Sequence, residues 1–275
     1  MSLFITSLNS GSNGNCYYIG NEHDAILIDA GISCRETEKR MMRLGLSMDR
    51  VRAIFVSHEH SDHIRGVVQL AKKFQLPVYI TPLTLDGSRF SPDKFPIHPL
   101  RGYEPIWLNG LCISAFPKFH DAADPHSFLI TYKETNVGVF TDIGAPCEHL
   151  IHHFRQCHAA FLEANYDEHL LENGPYPVFL KRRIRGGKGH LSNQQALDLF
   201  RTHRPVSMSH LLLSHLSKDN NSPQLALDLF WPHRETTEVF VASRFEETPV
   251  FRISADRSPV SVNLAEATAF MPVSN

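Results

Sequence analysis

Four candidate metal ligands, His58, His60, Asp62 and His63, crowd into the six residues His58-Glu59-His60-Ser61-Asp62-His63, one residue after the apolar run Ala53-Ile54-Phe55-Val56. Such a run reads as a buried strand, and the apolar positions 64, 67, 68, 71 and 74 that follow recur at helical spacing. A loop between a buried strand and a helix holds its side chains rigidly at one end of a sheet. Imidazole and carboxylate suit zinc, manganese or iron better than calcium or magnesium. A catalytic ion needs about three protein ligands and an open position. Four ligands on one tight loop do not converge easily on a single ion, so two adjacent ions are expected. The competing reading is a polar surface loop in a chain that holds 17 histidines. It explains a stray histidine, but not the H-x-H-x-D-H order.

The surrounding pattern predicts strands over 3–8 and 16–19, joined by a Gly/Asn/Ser loop at 9–15, and a strand at 25–29 ending in Asp29-Ala30-Gly31. Ser33 with Glu36 predicts a capping box and a helix to about Leu44, stopped by Gly45. A helix is expected from 64 to before Pro77, then a strand at 78–80, an irregular proline-containing stretch at 82–104, and strands near 106–108, 111–117, 127–132 and 137–141. A helix near 147–155, a strand at 159–163 and shorter helices at 167–172 and 177–184 come next. Ser192 with Gln195 predicts a second capping box, and Ser222-Pro223 a helix start with proline at its first position. Between and after these lie strands at 206–213, 238–242 and 249–253. The order predicts an α/β (αββα) fold of two packed mixed β-sheets flanked by helices. One domain is expected over 1–255, with a loosely ordered tail at 256–275.

Composition narrows the function classes. The chain has 275 residues, 42% apolar and 20% charged, enough to bury a sizeable core. A net charge of −2 gives no global attraction to nucleic acid or to an anionic membrane, so polyanion binding must rest on a local patch or on metal ions. The cysteines number five, an odd count with no C-x-x-C pair, which predicts reduced thiols and a cytoplasmic protein. The first fifteen residues lack a basic and apolar leader pattern, and no run of 18 apolar residues predicts a membrane span.

The H-x-H-x-D-H motif after an apolar strand resembles that of the metallo-β-lactamase superfamily. Asp29-Ala30-Gly31 matches the superfamily's first motif, an acid that braces the metal loop. His120, Asp142 in Phe-Thr-Asp-Ile-Gly and His215 in Leu-Ser-His-Leu-Ser each close a strand, where the superfamily places its later motifs. The resemblance implies that His58, His60 and His120 bind one ion, that Asp62, His63 and His215 bind a second, and that Asp142 bridges them. At a finer level, SLNSGSNGNCYYI (7–19), LEANYD (162–167), GPYPVFLKRRI (174–184), GHLSN (189–193) and HLSKDNN (215–221) resemble the YycJ/WalJ family. This likeness runs from about residue 3 to 252 and implies a 5′-to-3′ DNA exonuclease. Tyr166 departs from it, standing where histidine is expected in many members.

A hydroxide held between two ions is a nucleophile at neutral pH, and Asp62 is a candidate to orient it. His190, just ahead of the second capped helix, resembles the non-ligand histidine of the superfamily's phosphodiesterase branch and is the candidate general acid. Glu163, at a strand end, is a candidate to brace it. Lys181, Arg182, Arg183, Arg185 and Lys188 form a basic run ahead of His190. The run reads either as a solvated helix face or as phosphate contacts; Lys181, Arg182, Arg185 and Lys188 are taken as substrate-binding candidates, with Asn221. Loop 10–15 lines the cleft or is a plain turn. Nucleic acid is the expected partner, and the YycJ/WalJ resemblance implies DNA. The alternative is a small-molecule hydrolase of the same fold: a cyclic phosphodiesterase, lactonase or thioesterase. A non-catalytic metal module would need a broken ligand set, and all seven positions are intact.

Overall fold

The computed structural model describes residues 2–91 and 94–256. Residues 257–275, nearly all of the expected tail, lie outside the described residues. Elements are numbered in chain order. The first sheet holds β1 (Ser2–Asn9), β2 (Cys16–Gly20), β3 (Ala25–Ile28), β4 (Val51–Phe55), β5 (Val78–Ile80) and β6 (Ile97–Pro99) in sequence order, with β14 (Phe251–Ser254) added beside β1. The second holds β7 (Ile106–Leu108), β8 (Leu111–Pro117), β9 (His126–Tyr132), β10 (Thr135–Phe140), β11 (Ala159–Glu163), β12 (His210–Ser214) and β13 (Glu238–Val241), also in sequence order. Both sheets are mixed: β3 to β6 run parallel in the first and β10 to β13 in the second, while the hairpin-linked strands pair antiparallel.

Side-chain alternation explains the layering. Along β3, Ile26 and Ile28 join Phe55, Phe128, Ile130 and Phe161 between the sheets. Leu27 points the other way, beneath α1 (Cys34–Arg43) and α3 (Val67–Phe74), against Met41, Val67 and Leu70. Along β12, Leu212 faces inward, whereas Leu211 and Leu213 meet α5 (Glu148–Phe154), α8 (Asn193–His203) and α9 (Pro223–Phe230) through Phe154, Phe200 and Phe230. Burial on both faces is why these strands are continuous apolar runs rather than alternating ones. No helix among the described residues is long and apolar enough to cross a membrane.

Several expectations need correction. The helix expected from 64 begins earlier and breaks: α2 (Ser61–Ile64) stops at Arg65, and α3 starts after Gly66. Gly66 N–H donates to Ala30 O at 2.7 Å, and a Cβ there would lie 2.0 Å from Ile32 O. The stretch 82–104 is not irregular throughout, because Thr81 and Pro82 open α4 (Pro82–Ser88), and β6 follows. β12 starts at His210 rather than 206. Ser33 caps α1 by accepting from Glu36 N–H at 3.2 Å, but the Glu36 carboxylate turns to Arg40 Nε at 3.0 Å, so only half the box forms. At Ser192 both halves are present.

Gly31 fixes how the strand-end loops stack. Gly31 N–H donates to Asn15 O at 2.8 Å, Asn15 N–H to Asp62 O at 2.7 Å and Ala30 N–H to His63 O at 2.8 Å. A Cβ at Gly31 would sit 1.6 Å from Asp62 O, a backbone atom that cannot swing aside. Gly31→Ala should therefore lower the unfolding free energy by about 3 kcal/mol or more, measured by urea denaturation. A variant as stable as the parent would contradict this packing.

Candidate metal centre

Parallel strands bring their carboxyl ends to one edge, and a crevice there is the usual ligand site of such sheets. In the first sheet Ile28 pairs with Phe55, so Asp29 and the loop opening at Ser57-His58 emerge side by side. In the second, Phe140 pairs with Leu162 and Glu163 with Ser214, so Asp142, Glu163 and His215 emerge together. His120 follows β8. The backbone at Asp29 (φ 59°), Asp142 (φ 56°) and His215 (φ 57°) is left-handed, a conformation costly for residues other than glycine. Three such turns at one edge aim carboxylate and imidazole into the crevice, where strain of this kind concentrates.

All seven expected ligand residues meet there. Donor atoms of His58, His60 and His120 lie within 4.8 Å of one another, as do those of Asp62, His63 and His215. Those of Asp142, His58 and His63 do the same, placing Asp142 between the two groups. Most of the imidazoles are oriented from behind. His63 Nδ1 donates to Asp29 Oδ2 at 2.7 Å, and His58 Nδ1 to Ser57 Oγ at 2.9 Å. Ser57 is itself held by Asp29 through N–H (2.8 Å) and Oγ–H (2.7 Å). His120 Nδ1 donates to Gly189 O at 3.0 Å and His215 Nδ1 to Glu163 Oε1 at 2.9 Å. With each Nδ1 occupied, Nε2 is left facing the crevice, the arrangement that orients a metal-ligating histidine.

The residues fit a divalent cation. Asp142 is buried, and its Oδ2 has no hydrogen-bond partner among the described residues, although His63 Nε2 is 3.1 Å away. A buried carboxylate oxygen without a hydrogen-bond partner, 3.1 Å from an imidazole nitrogen, suits a shared cation. Burial lowers His58 well below the ordinary imidazole range and takes His120 down to about 4. Both are thus neutral, the form that binds metal. His215 and His63 differ. Burial opposes their charge, but for His215 the carboxylates of Asp142, Asp62 and Glu163 win and raise it to about 10. For His63, Asp142, Asp29 and Asp62 raise it well above the ordinary range.

Metal uptake through His63 and His215 must therefore expel protons. Affinity should rise with pH everywhere below about 10 and level off above it, by up to about tenfold per unit for each proton released. Calorimetry in buffers of differing ionisation enthalpy would measure this, and uptake heats independent of buffer would refute it.

Sequence reasoning left two members of this wall, in loop 10–15, undecided and missed a third. Asn15 Nδ2 donates to Asp62 Oδ2 at 3.2 Å. Ser10 Oγ accepts from His215 N–H at 2.8 Å, so loop 10–15 braces ligands rather than simply turning. Lys118 is buried behind the crevice, with Nζ donating to Thr141 O at 2.6 Å; burial lowers its pKa against the pull of Asp142. Its sequence signal was a lysine two residues before His120, at the end of an apolar strand.

His190 lies beside the cluster, partly exposed, with Nδ1 donating to Glu163 Oε1 at 2.8 Å. Glu163 is fully buried. Burial works to raise its carboxyl, but His190 and His215 bring it down to about 2. Ile143 N–H donates to Oε2 at 2.6 Å, so the carboxylate is fixed from both sides.

The basic run divides along α7 (Val178–Arg185), which packs on α6 (Glu168–Asn173) through Leu180, Ile184 and Leu171, with Tyr166 beneath. Lys181 donates to Glu172 O at 2.5 Å, and Arg185 pairs with the Glu172 carboxylate. Arg183 Nε donates to Asp121 Oδ2 at 2.5 Å. Arg182 and Lys188 are exposed. Asn221 is a correction to the substrate-binding expectation. Its amide donates to Ala164 O (2.9 Å) and Asn193 Oδ1 (2.8 Å), and its oxygen accepts from Asn193 Nδ2 (3.0 Å) and Ser222 N–H (2.9 Å). That leaves it no free donor or acceptor for a substrate.

The chain belongs to the metallo-β-lactamase superfamily, whose family model matches residues 10–154, and it is a metal-dependent hydrolase of that fold. In three dimensions it resembles the metallo-β-lactamase fold protein YhfI from Bacillus subtilis, with a TM-score of 0.69 at 16% identity over 91% of this chain and 99% of that one. Within the superfamily it is a member of the YycJ/WalJ family. The exodeoxyribonuclease YycJ of Bacillus anthracis is 33% identical over 82% of this chain and 87% of that protein. The exodeoxyribonuclease WalJ of Streptococcus pneumoniae is 29% identical over 80% and 83%.

Proposed function

We propose that this chain is an exonuclease that hydrolyses DNA from the 5′ end with two divalent ions (zinc, manganese or iron) in the cytoplasm. The observation that carries the reading is the Glu163–His190 pair at 2.8 Å beside the His/Asp cluster. A phosphodiester releases an alkoxide that needs a proton, and a positioned imidazole supplies one. The names of the YycJ and WalJ relatives agree with it, and the five free cysteines agree with a reducing compartment.

His58, His60 and His120 would hold one ion and Asp62, His63 and His215 the other, with Asp142 between. Bound there, divalent ions supply Lewis-acid polarisation of the phosphoryl oxygens and an activated water. Asp62 orients the attacking water, held in place by Asn15 Nδ2 at 3.2 Å. His190 Nε2 gives its proton to the leaving oxygen, while Glu163 Oε1 accepts from Nδ1 and holds the ring in position. Arg182 and Lys188 meet backbone phosphates.

Single- and double-stranded DNA and RNA, labelled at either end, distinguish the outcomes when each metal is tested in turn. Stepwise release of mononucleotides from the 5′ end of DNA is expected. Turnover of bis-p-nitrophenyl phosphate without cleavage of any oligonucleotide would instead make this a small-molecule hydrolase.

A further inference from the structure

A phenol is buried beneath the metal-binding loops. Tyr17 lies on β2 between the two sheets, fully buried, with its ring centroid 4.8 Å from that of Phe161. A hydroxyl in such a place needs partners. Tyr17 Oη has two, and both belong to loop 10–15: Ser10 Oγ at 2.8 Å and Asn15 Oδ1 at 3.2 Å. Burial raises this phenol well above its ordinary range, against the Ser10 hydrogen bond and with the charges of Asp142, Asp29 and Glu163. It is therefore protonated, and a donor, at neutral pH.

The partners set the direction of each bond. Asn15 Oδ1 also accepts from Gly11 N–H at 2.9 Å, so the amide turns its oxygen to Tyr17 and its nitrogen to Asp62. Since an amide oxygen only accepts, Tyr17 gives its proton to Asn15. Ser10 Oγ–H then donates to Tyr17 Oη, which leaves Ser10 Oγ to accept from His215 N–H at 2.8 Å. From end to end, His215 donates to Ser10, Ser10 to Tyr17, Tyr17 to Asn15, and Asn15 Nδ2 to Asp62 Oδ2 at 3.2 Å. The same Asn15 nitrogen is 3.1 Å from His63 Nε2.

Both ends of this chain belong to one group, Asp62, His63 and His215. Asp62 is on α2, at the edge of the first sheet, and His215 follows β12 in the second, so the chain ties the two edges together. His215 stands on a left-handed turn (φ 57°), and its bond to Ser10 helps to hold that turn. Hydrogen bonds oriented head to tail in a low-dielectric interior strengthen one another. Ser10, Tyr17 and Asn15 make no bond to His58, His60 or His120 among the described residues. We propose that the Tyr17 hydroxyl is a positioning group for the second ion. It locks Ser10 and Asn15 into one orientation and through them sets Asp62 against His215, so affinity at this group depends on it and affinity at His58, His60 and His120 does not. The proposal rests on the two-ion reading above.

The test is zinc affinity, measured against a chromophoric chelator and without substrate, in two single-site backgrounds. His60→Ala leaves the group Asp62, His63 and His215, and His215→Ala leaves the group His58, His60 and His120. Removing a hydrogen-bond partner that orients a metal ligand typically costs about 10- to 100-fold in affinity. Tyr17→Phe deletes one oxygen and keeps the ring. It should weaken zinc by about tenfold or more in the His60→Ala background and by less than about twofold in the His215→Ala background. Asn15→Ala should show the same asymmetry. Ser10→Ala should cost less beside Tyr17→Phe than alone, as members of one chain do. Equal losses in both backgrounds would assign the hydroxyl to the packing of the fold, and unchanged affinity in both would remove it from the site. Either result overturns the proposal, as would fully additive losses for Ser10→Ala and Tyr17→Phe. A parent protein that takes up a single zinc ion by metal analysis overturns the two-ion reading itself, and the positioning role falls with it.

Discussion

Asp142→Asn should lose metal and activity together: turnover down by about three orders of magnitude or more, with less than the parent's metal content after dialysis. The substitution preserves shape and removes one charge. Asp142 is buried between the two histidine groups, and its Oδ2 has no hydrogen-bond partner among the described residues. A neutral amide in that place offers one weaker donor oxygen and a nitrogen that cannot ligate. The loss should also be visible without any substrate. A cation present at a thousandfold excess over its Kd stabilises the parent by about 4 kcal/mol, and the variant should show a much smaller thermal shift. Asp142 is also the largest influence holding protons on His63 and His215 against burial. In the variant their pKa values should fall, so proton release on metal uptake should shrink. An Asp142→Asn protein with full metal content and parental turnover would remove the bridging role.

The legible part of this molecule was the part written in short, local patterns. The motif at 58–63 follows an apolar strand within the sequence, so both its chemistry and its place at a sheet edge could be read directly. Asp142 and His215 were readable for the same reason, each following a run that only a buried strand explains. What stayed hidden depends on contacts far apart in the chain. Asn15 reaches Asp62 across 47 positions and Ser10 reaches His215 across 205. Nothing local distinguishes these polar loop residues from ordinary turn formers. Asn221 misled in the opposite direction: an asparagine beside a ligand motif suggests substrate, yet its amide ties the loops after β11 and β12 to the start of α8. The break at Gly66 was hidden too, since apolar periodicity continues through it while the backbone approach of Ala30 and Ile32 forbids a straight helix. Charge runs proved divisible. Of five cations close in sequence, the four on α7 segregate by helical flank, two toward Glu172 and one toward Asp121.

His190→Ala separates proton donation from metal binding. The variant should keep its metal, because the Nε2 atoms of His58, His63, His120 and His215 are oriented by Ser57, Asp29, Gly189 and Glu163, not by His190. Its kcat on DNA should fall by about 10²–10⁴ with KM little changed. The decisive comparison is the leaving group. A deoxyribose alkoxide is a strong base and cannot depart without a proton, whereas p-nitrophenolate departs readily on its own. The penalty should therefore be large on DNA and slight on bis-p-nitrophenyl phosphate. Glu163→Gln should show the same dependence on leaving group more weakly, since an amide oxygen still accepts from His190 Nδ1 but no longer stabilises a charged ring. It should also disturb His215, which shares Glu163 Oε1 at 2.9 Å, so some metal loss is expected there and none in His190→Ala. A His190→Ala penalty equal on both substrates would assign His190 to positioning or ligation, and retention of full activity on DNA would remove it from the chemistry altogether.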